Sequence, residues 1–248
     1  MKSARCEEVT STTNRKEKVV RMNRARKYIL VFIVIIFISS FFAGCGENKA
    51  IQRAEISDTD MDRLENYKLY LQEYPNGKHV DEAKKALLNT ALRLAFIGYA
   101  FNDNPQYNSK EVESNKIYII DDTTYLAAMN NRVDTRDRDW TALLPDEWKA
   151  ETIFDASLFC IVKETSIKVG SEKYSAPGSN AGEYTVQGYR VVTQVELRQA
   201  TTGEILFSAK YEGSDPSFPD SIKSGTGAVE GSSLNYYDLE AWLMEKLY

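Results

Sequence analysis

From Tyr189 to Leu197 the side chains alternate. Tyr189, Val191, Thr193, Val195 and Leu197 fall on one side, Arg190, Gln194, Glu196 and Arg198 on the other, and only Val192 breaks the pattern. A period of two belongs to a strand, and slipping it by one residue would turn every apolar group to the wrong face. The stretch therefore constrains both secondary structure and register. Ala200 to Gly203, "ATTG", reads as a turn, and Ile205, Phe207, Ala209 and Tyr211 resume the apolar side against Glu204, Ser208, Lys210 and Glu212. The expectation is an antiparallel hairpin with one face in a core and one in water.

Other segments supply partners for that apolar face. "KIYIID" at 116–121 reads as a first strand, and "SLFCIVKETSIKV" at 157–169 as a central one whose apolar start suits burial. Between them "DDTTYLAAMNNRVDTRDRDW" is irregular, and in "LPDEWKAET" Pro145 suits a turn or the first turn of a short helix. The Gly, Pro and Ser-rich stretch 213–233 reads as a loop. A closing amphipathic helix places Leu239, Trp242, Leu243 and Leu247 on one side.

Upstream the period changes to that of a helix. Met61, Leu64, Tyr67 or Lys68 and Leu71 recur at three- and four-residue steps behind a Thr59/Asp62 capping pair, and Val80, Ala83, Leu87, Ala91 and Leu94 do the same after Pro75-Asn76-Gly77. These spacings predict a helical hairpin over 58–101. Residues 102–115, with Pro105 and no periodicity, read as a linker, and 116–248, 133 residues, as a domain expected to fold alone. The fold class expected is α+β: an N-terminal signal or anchor helix, a helical hairpin, then a small, mostly antiparallel sheet domain with a C-terminal helix.

The N-terminal region sets the expected location. Arg21, Arg24, Arg26 and Lys27 precede the uncharged run "YILVFIVIIFI" at 28–38, which gives way to small residues and a lone cysteine in "FFAGCG". Basic, apolar, small is the layout of an export signal. Ala43 and Gly44 before Cys45 resemble the lipobox of bacterial and archaeal lipoproteins, although Phe42 stands where an aliphatic residue is usual. The resemblance implies cleavage between Gly44 and Cys45, a signal peptide over 1–44, acylation of Cys45 as the new N-terminus, and attachment to the bilayer through it. Residues 45–57 then read as a polar tether. The polar segment 1–21 is long for a leader, which makes Met22 a candidate start and would leave Cys6 untranslated. The alternative is an uncleaved anchor, for which Tyr28 to Ala43 offers 16 residues against a requirement of roughly 17 to 25.

Charge and cysteine content follow from that division. Residues 1–44 hold 9 of the 31 Lys and Arg and 3 of the 36 acids, so the remainder carries 22 basic and 33 acidic side chains, net about −11. Such a surface repels nucleic acid, so no nucleic-acid partner is expected, and it repels anionic lipid, so membrane contact is expected from the anchor alone. With Cys6 removed and Cys45 acylated, Cys160 is the sole free thiol and no intramolecular disulfide forms. Cys160 lies in an apolar strand far in sequence from His79, the one histidine, and reads as core rather than nucleophile.

No metal or cofactor is expected. Asp134, Asp137 and Asp139 fail the EF-hand spacing and are interleaved with Arg132, Arg136 and Arg138. "SGTGAVEG" at 224–231 lacks the strand, loop and helix context of a phosphate loop, and among 33 mature acids no spacing selects a carboxylate pair. No catalytic residue is assigned and the chain is not expected to be an enzyme.

Two further resemblances bear on function. "YLQEYPNGKHVDEAKKAL", Tyr70 to Leu87, resembles the turn and small-residue pattern of tetratricopeptide-like repeats in outer-membrane lipoproteins and assembly factors, with Ala83 at the position that permits close helix approach. No second copy follows at about 34 residues, so the unit packs on the domain after it or adds to a partner's repeats. Tyr67, Tyr70 and Tyr74 are accordingly either helix contacts or a candidate partner surface. The order of "KIYIID", "LLPDEWKAET", "SLFCIV", the TG-turn hairpin with its "GSDP" string and "LEAWL" resembles a domain that recurs in exported and membrane-tethered microbial proteins of uncharacterised function. That likeness implies a boundary and a fold class and no activity.

The function expected is a membrane-tethered extracytoplasmic lipoprotein, on the cell membrane or outer membrane, acting as a non-catalytic binding or assembly accessory to another envelope protein. Two alternatives stand beside it. One is a lipoprotein binding a small ligand or glycan, with Trp140, Trp148 and Trp242 as stacking candidates, and the other an uncleaved single-pass membrane protein.

Overall fold

The computed structural model describes residues 46–111, 114–130, 140–175, 183–221 and 227–247. Helix α1 occupies residues 46–55, followed by α2 (Asp60–Glu73) and α3 (Val80–Phe96). Strand β1 (Ile117–Asp121) leads into α4 (Asp122–Met129), the short α5 (Trp140–Leu143) comes next, and β2 (Leu158–Ser175), β3 (Glu183–Gln199) and β4 (Ile205–Glu212) follow. A brief β5 (Ala228–Glu230) and α6 (Tyr236–Leu247) complete the order. The sheet runs β1-β2-β3-β4, with β5 against the far end of β3. The β2–β3 and β3–β4 pairs are antiparallel, whereas β1–β2 and β3–β5 are parallel. The fold is thus α+β with a mixed sheet. The two parallel ladders are the short ones, five and three residue pairs long.

The sheet is covered on both faces, and the inner strands show why. Ile117 and Ile119 of β1, Leu158, Cys160 and Val162 of β2, and Val195 and Leu197 of β3 join Leu239, Trp242, Leu243 and Leu247 of α6 in one buried cluster. The alternate residues Ile120, Phe159 and Ile161 join Leu64 of α2, Ala91, Leu92, Leu94 and Ala95 of α3, and Phe101 in another. Strands buried on both faces read as continuous apolar runs, which is the pattern of 158–162. The result is three layers: α2, α3 and α4 on one side, the sheet, and α6 with the Leu144–Trp148 segment on the other. The expected wet face of the β3–β4 hairpin is therefore partly covered. Glu196 is buried there, its charge matched by Arg198 through bonds of 2.6 and 3.0 Å and by a 2.9 Å bond from Gln194.

Local chemistry accounts for the ends of the helices. Thr59 caps α2 by accepting from the Asp62 N–H at 3.0 Å, as the capping pair predicts. Helix α3 stops where Gly98 adopts φ +96° and the Tyr99 N–H returns to the Leu94 carbonyl. Gly203, at φ +72°, turns β3 into β4 directly over Gly98, so close that a Cβ would lie 2.8 Å from the Gly98 carbonyl oxygen.

Several expectations are revised. The stretch after β1 forms α4, capped by the Asp121 carboxylate on the Thr124 N–H. A bulge at Leu197/Arg198 turns Ile205 outward, while Phe207, Ala209 and Tyr211 keep the inward side. Part of the 213–233 loop is β5. The tether 45–57 is replaced, from residue 46, by α1. In place of a linker, 102–111 and 114–115 are tied to the body: Asn104 donates to the Ile153 and Ala156 carbonyls at 2.8 and 2.9 Å, and Asn108 and Asn115 bond each other reciprocally. Phe101 lies edge-on to Phe159 with centroids 5.7 Å apart. The helical hairpin and the sheet share one core, so the 116–248 boundary does not separate independent cores. Beyond Lys163, by contrast, β2 and β3 continue as an arm on which Ile167 and Val169 are exposed.

Because Phe159 and Ile161 lose their cover when the helices are removed, excised 116–248 is expected to melt without a cooperative transition in calorimetry. In the full chain Phe159→Ala should lower unfolding free energy by about 3–5 kcal/mol in denaturant titration. A cooperative, native-like transition of the excised segment would show that the sheet and α6 suffice.

Candidate functional site

Tyr67 and Tyr70 of α2, and Tyr74 just beyond its end, pack beside α1. Glu47, one residue into the described fold, accepts the Tyr70 hydroxyl at 2.8 Å and the Lys78 backbone N–H at 2.7 Å, while the Tyr70 oxygen accepts from the His79 N–H at 3.2 Å. Gly77 makes room for this clasp, since a Cβ there would lie 2.5 Å from the Glu47 carboxylate and 2.7 Å from the Tyr70 oxygen. The Tyr70 hydrogen bond, with those from the backbone, holds the Glu47 carboxyl below the usual glutamate value, and burial pushes the Tyr70 phenol up.

Tyr67 and Tyr70 are buried with Ile51, Ala54 and Ala83. Tyr74 is half-buried, stacked on Tyr70 with centroids 5.5 Å apart. Two of the three candidate partner contacts therefore face inward, and they cover α1 rather than the sheet. Ala83 is buried in the same cluster. The sequence signal for α1 was faint: Ala50, Ile51 and Ala54 have helical spacing, but two of the three are alanines.

A cleft of about 660 Å3 opens where α2, α3 and the end of α4 meet, with Asp60, Arg63, Lys85, Asn89, Thr90 and Arg93 in its wall. Its floor is an ion pair. The buried Arg93 guanidinium grips Asp60 through two bonds, 2.9 Å from Nε and 2.7 Å from the second terminal nitrogen, and donates to the Ala128 carbonyl at 3.1 Å. One side chain thus fastens α3 to the start of α2 and the end of α4. Arg93, with help from Arg63, holds the Asp60 carboxyl below its ordinary value. Asn89 donates to the Lys85 carbonyl, and its own side-chain oxygen is buried without a partner among the described residues. This arrangement binds its charges internally, which suits a structural clamp with a polar rim.

Cys160 is fully buried and burial pushes its thiol far up, so it serves as a core side chain. His79 precedes α3 and pairs with Glu82 at 3.1 Å. Trp148 and Trp242 are buried in the core, and Trp140 packs at its edge against Tyr236, so the indoles do not form a stacking platform for a sugar. Among the described residues no group of three or more His, Cys, Asp or Glu could hold a metal, and no helix is long and apolar enough to cross a membrane. Gly44, Cys45 and the 28–43 run lie outside the described residues, as do Asp134, Asp137, Asp139 and their arginines. Comparison of the chain with known protein families, with characterised proteins and with solved structures gives no match.

Two outcomes test these contacts. Because the folded-state value of Asp60 is depressed, its contribution is present above the ordinary 3.8 and is lost as pH falls through the folded value. Asp60→Asn should cost roughly 1–3 kcal/mol at neutral pH, and urea titrations should show the gap to wild type closing on acidification. Tyr70→Phe keeps the packing and removes the clasp, and should lower stability by about 1 kcal/mol in the same assay.

Proposed function

We propose that this chain is an extracytoplasmic lipoprotein, acylated at Cys45 after cleavage behind Gly44, that serves at the cell membrane or outer membrane as a non-catalytic binding or assembly protein for another envelope component. The observation that carries the reading is the residue order before the cysteine: Arg21, Arg24, Arg26 and Lys27, then the uncharged run at 28–38, then Ala43 and Gly44. Gly46 already belongs to α1, whose Glu47, Ile51 and Ala54 are built into the helical layer. Basic, apolar and small residues in that order are the layout of a leader removed at its small-residue end, and removal behind Gly44 would leave Cys45 one residue before α1. The surface suited to a protein partner is the arm of β2 and β3 beyond Lys163, where Ile167 and Val169 are 48% and 43% exposed.

Acyl chains supply about 0.8 kcal/mol per buried methylene, and more than one chain is needed for stable attachment. Mass spectrometry of the membrane fraction should therefore find a modified N-terminus at Cys45, and Cys45→Ala should abolish that modification. A membrane-retained chain beginning unmodified at Met1 or Met22 would overturn the reading in favour of an uncleaved anchor.

A further inference from the structure

One end of the helical layer is formed by the start of α1, the 74–79 turn and the start of α3. Its parts are held together tightly. A Cβ at Gly46 would lie 2.9 Å from the Tyr74 phenol oxygen, and Glu47 accepts the Lys78 backbone N–H at 2.7 Å. Pro75, Asn76 and Lys78 are exposed at the tip of the turn, with Asn48 and Lys49 exposed beside them on α1.

Residue 45 is bonded directly to this end. Consecutive Cα atoms are about 3.8 Å apart, so an acyl group on Cys45 has almost no slack between the bilayer and the clasped turn. We propose that the 74–79 turn, with Tyr74, Lys49 and Lys78, rests on the lipid headgroups, so that the protein is held against the membrane by one defined end rather than suspended from a flexible tether. The inference rests on acylation of Cys45.

The chemistry of this end suits the headgroup layer. Tyrosine and lysine place an apolar body towards the acyl chains and a polar tip in water. Glu73 and Asp81 are also exposed near the turn, and the mature chain is acidic overall, so charge alone would not draw it to an anionic surface. The covalent lipid brings the turn down, and the Glu47 clasp transmits its position to α2 and α3. Helix α3, 17 residues long, then carries its other end roughly 25 Å from the turn. The β3–β4 turn lies at that other end, where Gly203 meets Gly98.

The test uses the mature chain, purified from membranes and shown by mass spectrometry to begin at acylated Cys45. Asn76→Cys and, separately, Thr202→Cys are labelled with bimane, since Cys6 leaves with the leader and Cys160 is buried. Each is reconstituted into phosphatidylethanolamine/phosphatidylglycerol vesicles with and without brominated acyl chains. The expected result is loss of most emission at position 76 in brominated vesicles and little loss at position 202. Acylated protein that stays with the vesicles yet shows no quenching at 76, or equal quenching at both positions, overturns the proposed orientation. Protein with an unmodified Cys45 removes the lipoprotein reading itself, a failure that the mass spectrum identifies before any fluorescence is recorded.

Discussion

Strand β2 has no face to give to water between Leu158 and Val162. Leu158, Cys160 and Val162 lie against α6, and Phe159 and Ile161 lie against the helices that precede the sheet. Exposing either set would forfeit several large buried side chains, each contributing about 1.5–3 kcal/mol. The chain must therefore supply a helical layer on both sides. This requirement explains why α3 with Phe101 and α6, far apart in sequence, converge on one strand. It also sets the phase of β1, whose Ile117 and Ile119 face α6 while Ile120 faces α3, in step with β2.

Covering both faces creates an electrostatic problem that the structure solves with pairs. The polar side of the β3–β4 hairpin comes to lie beside the helical layer, where Glu196 is buried and answered by Arg198 and Gln194. Lys163 spans the join, with its ammonium 5.3 Å from the centre of the Phe96 ring. On the other flank Arg93 is buried and answered by Asp60. Leaving either arginine without its carboxylate would strand a charge in a poorly hydrated place, which costs far more than an exposed pair is worth.

The clasp of Glu47, Tyr70 and the 77–79 backbone works on a different scale. Its hydrogen bonds are individually modest, but they decide whether the chain just after Cys45 behaves as a loose leader or as part of a rigid layer. A lipid attached to a loose leader would restrain only distance from the membrane. Under the proposed acylation of Cys45, a lipid joined to α1 would restrain orientation as well, because the carboxylate holds the turn, and Tyr70, Ile51 and Ala54 hold α1 to the hairpin.

Local periodicity was enough to read much of this protein from its residues: the α2–α3 hairpin with its Thr59 cap, the β3–β4 hairpin around Gly203, the apolar face of α6, and the core role of Cys160. These depend on neighbours within a few positions. The parallel pairings of β1 and β5 were not legible, because a parallel register is set between segments separated by a long crossover and leaves no pattern in either one. Helix α1 was hidden because Ala50 and Ala54 mark a close contact only once Tyr67 and Tyr70 are known to lie over it. Nor did composition show that 102–111 is anchored, since Asn104 looks like a loop residue until the Ile153 and Ala156 carbonyls are brought to its amide. The sequence by itself determined which faces of its helices and strands are apolar. Tertiary structure alone decided which of those faces meet, because burial depends on the side chains brought opposite, and those come from parts of the chain that local spacing does not connect.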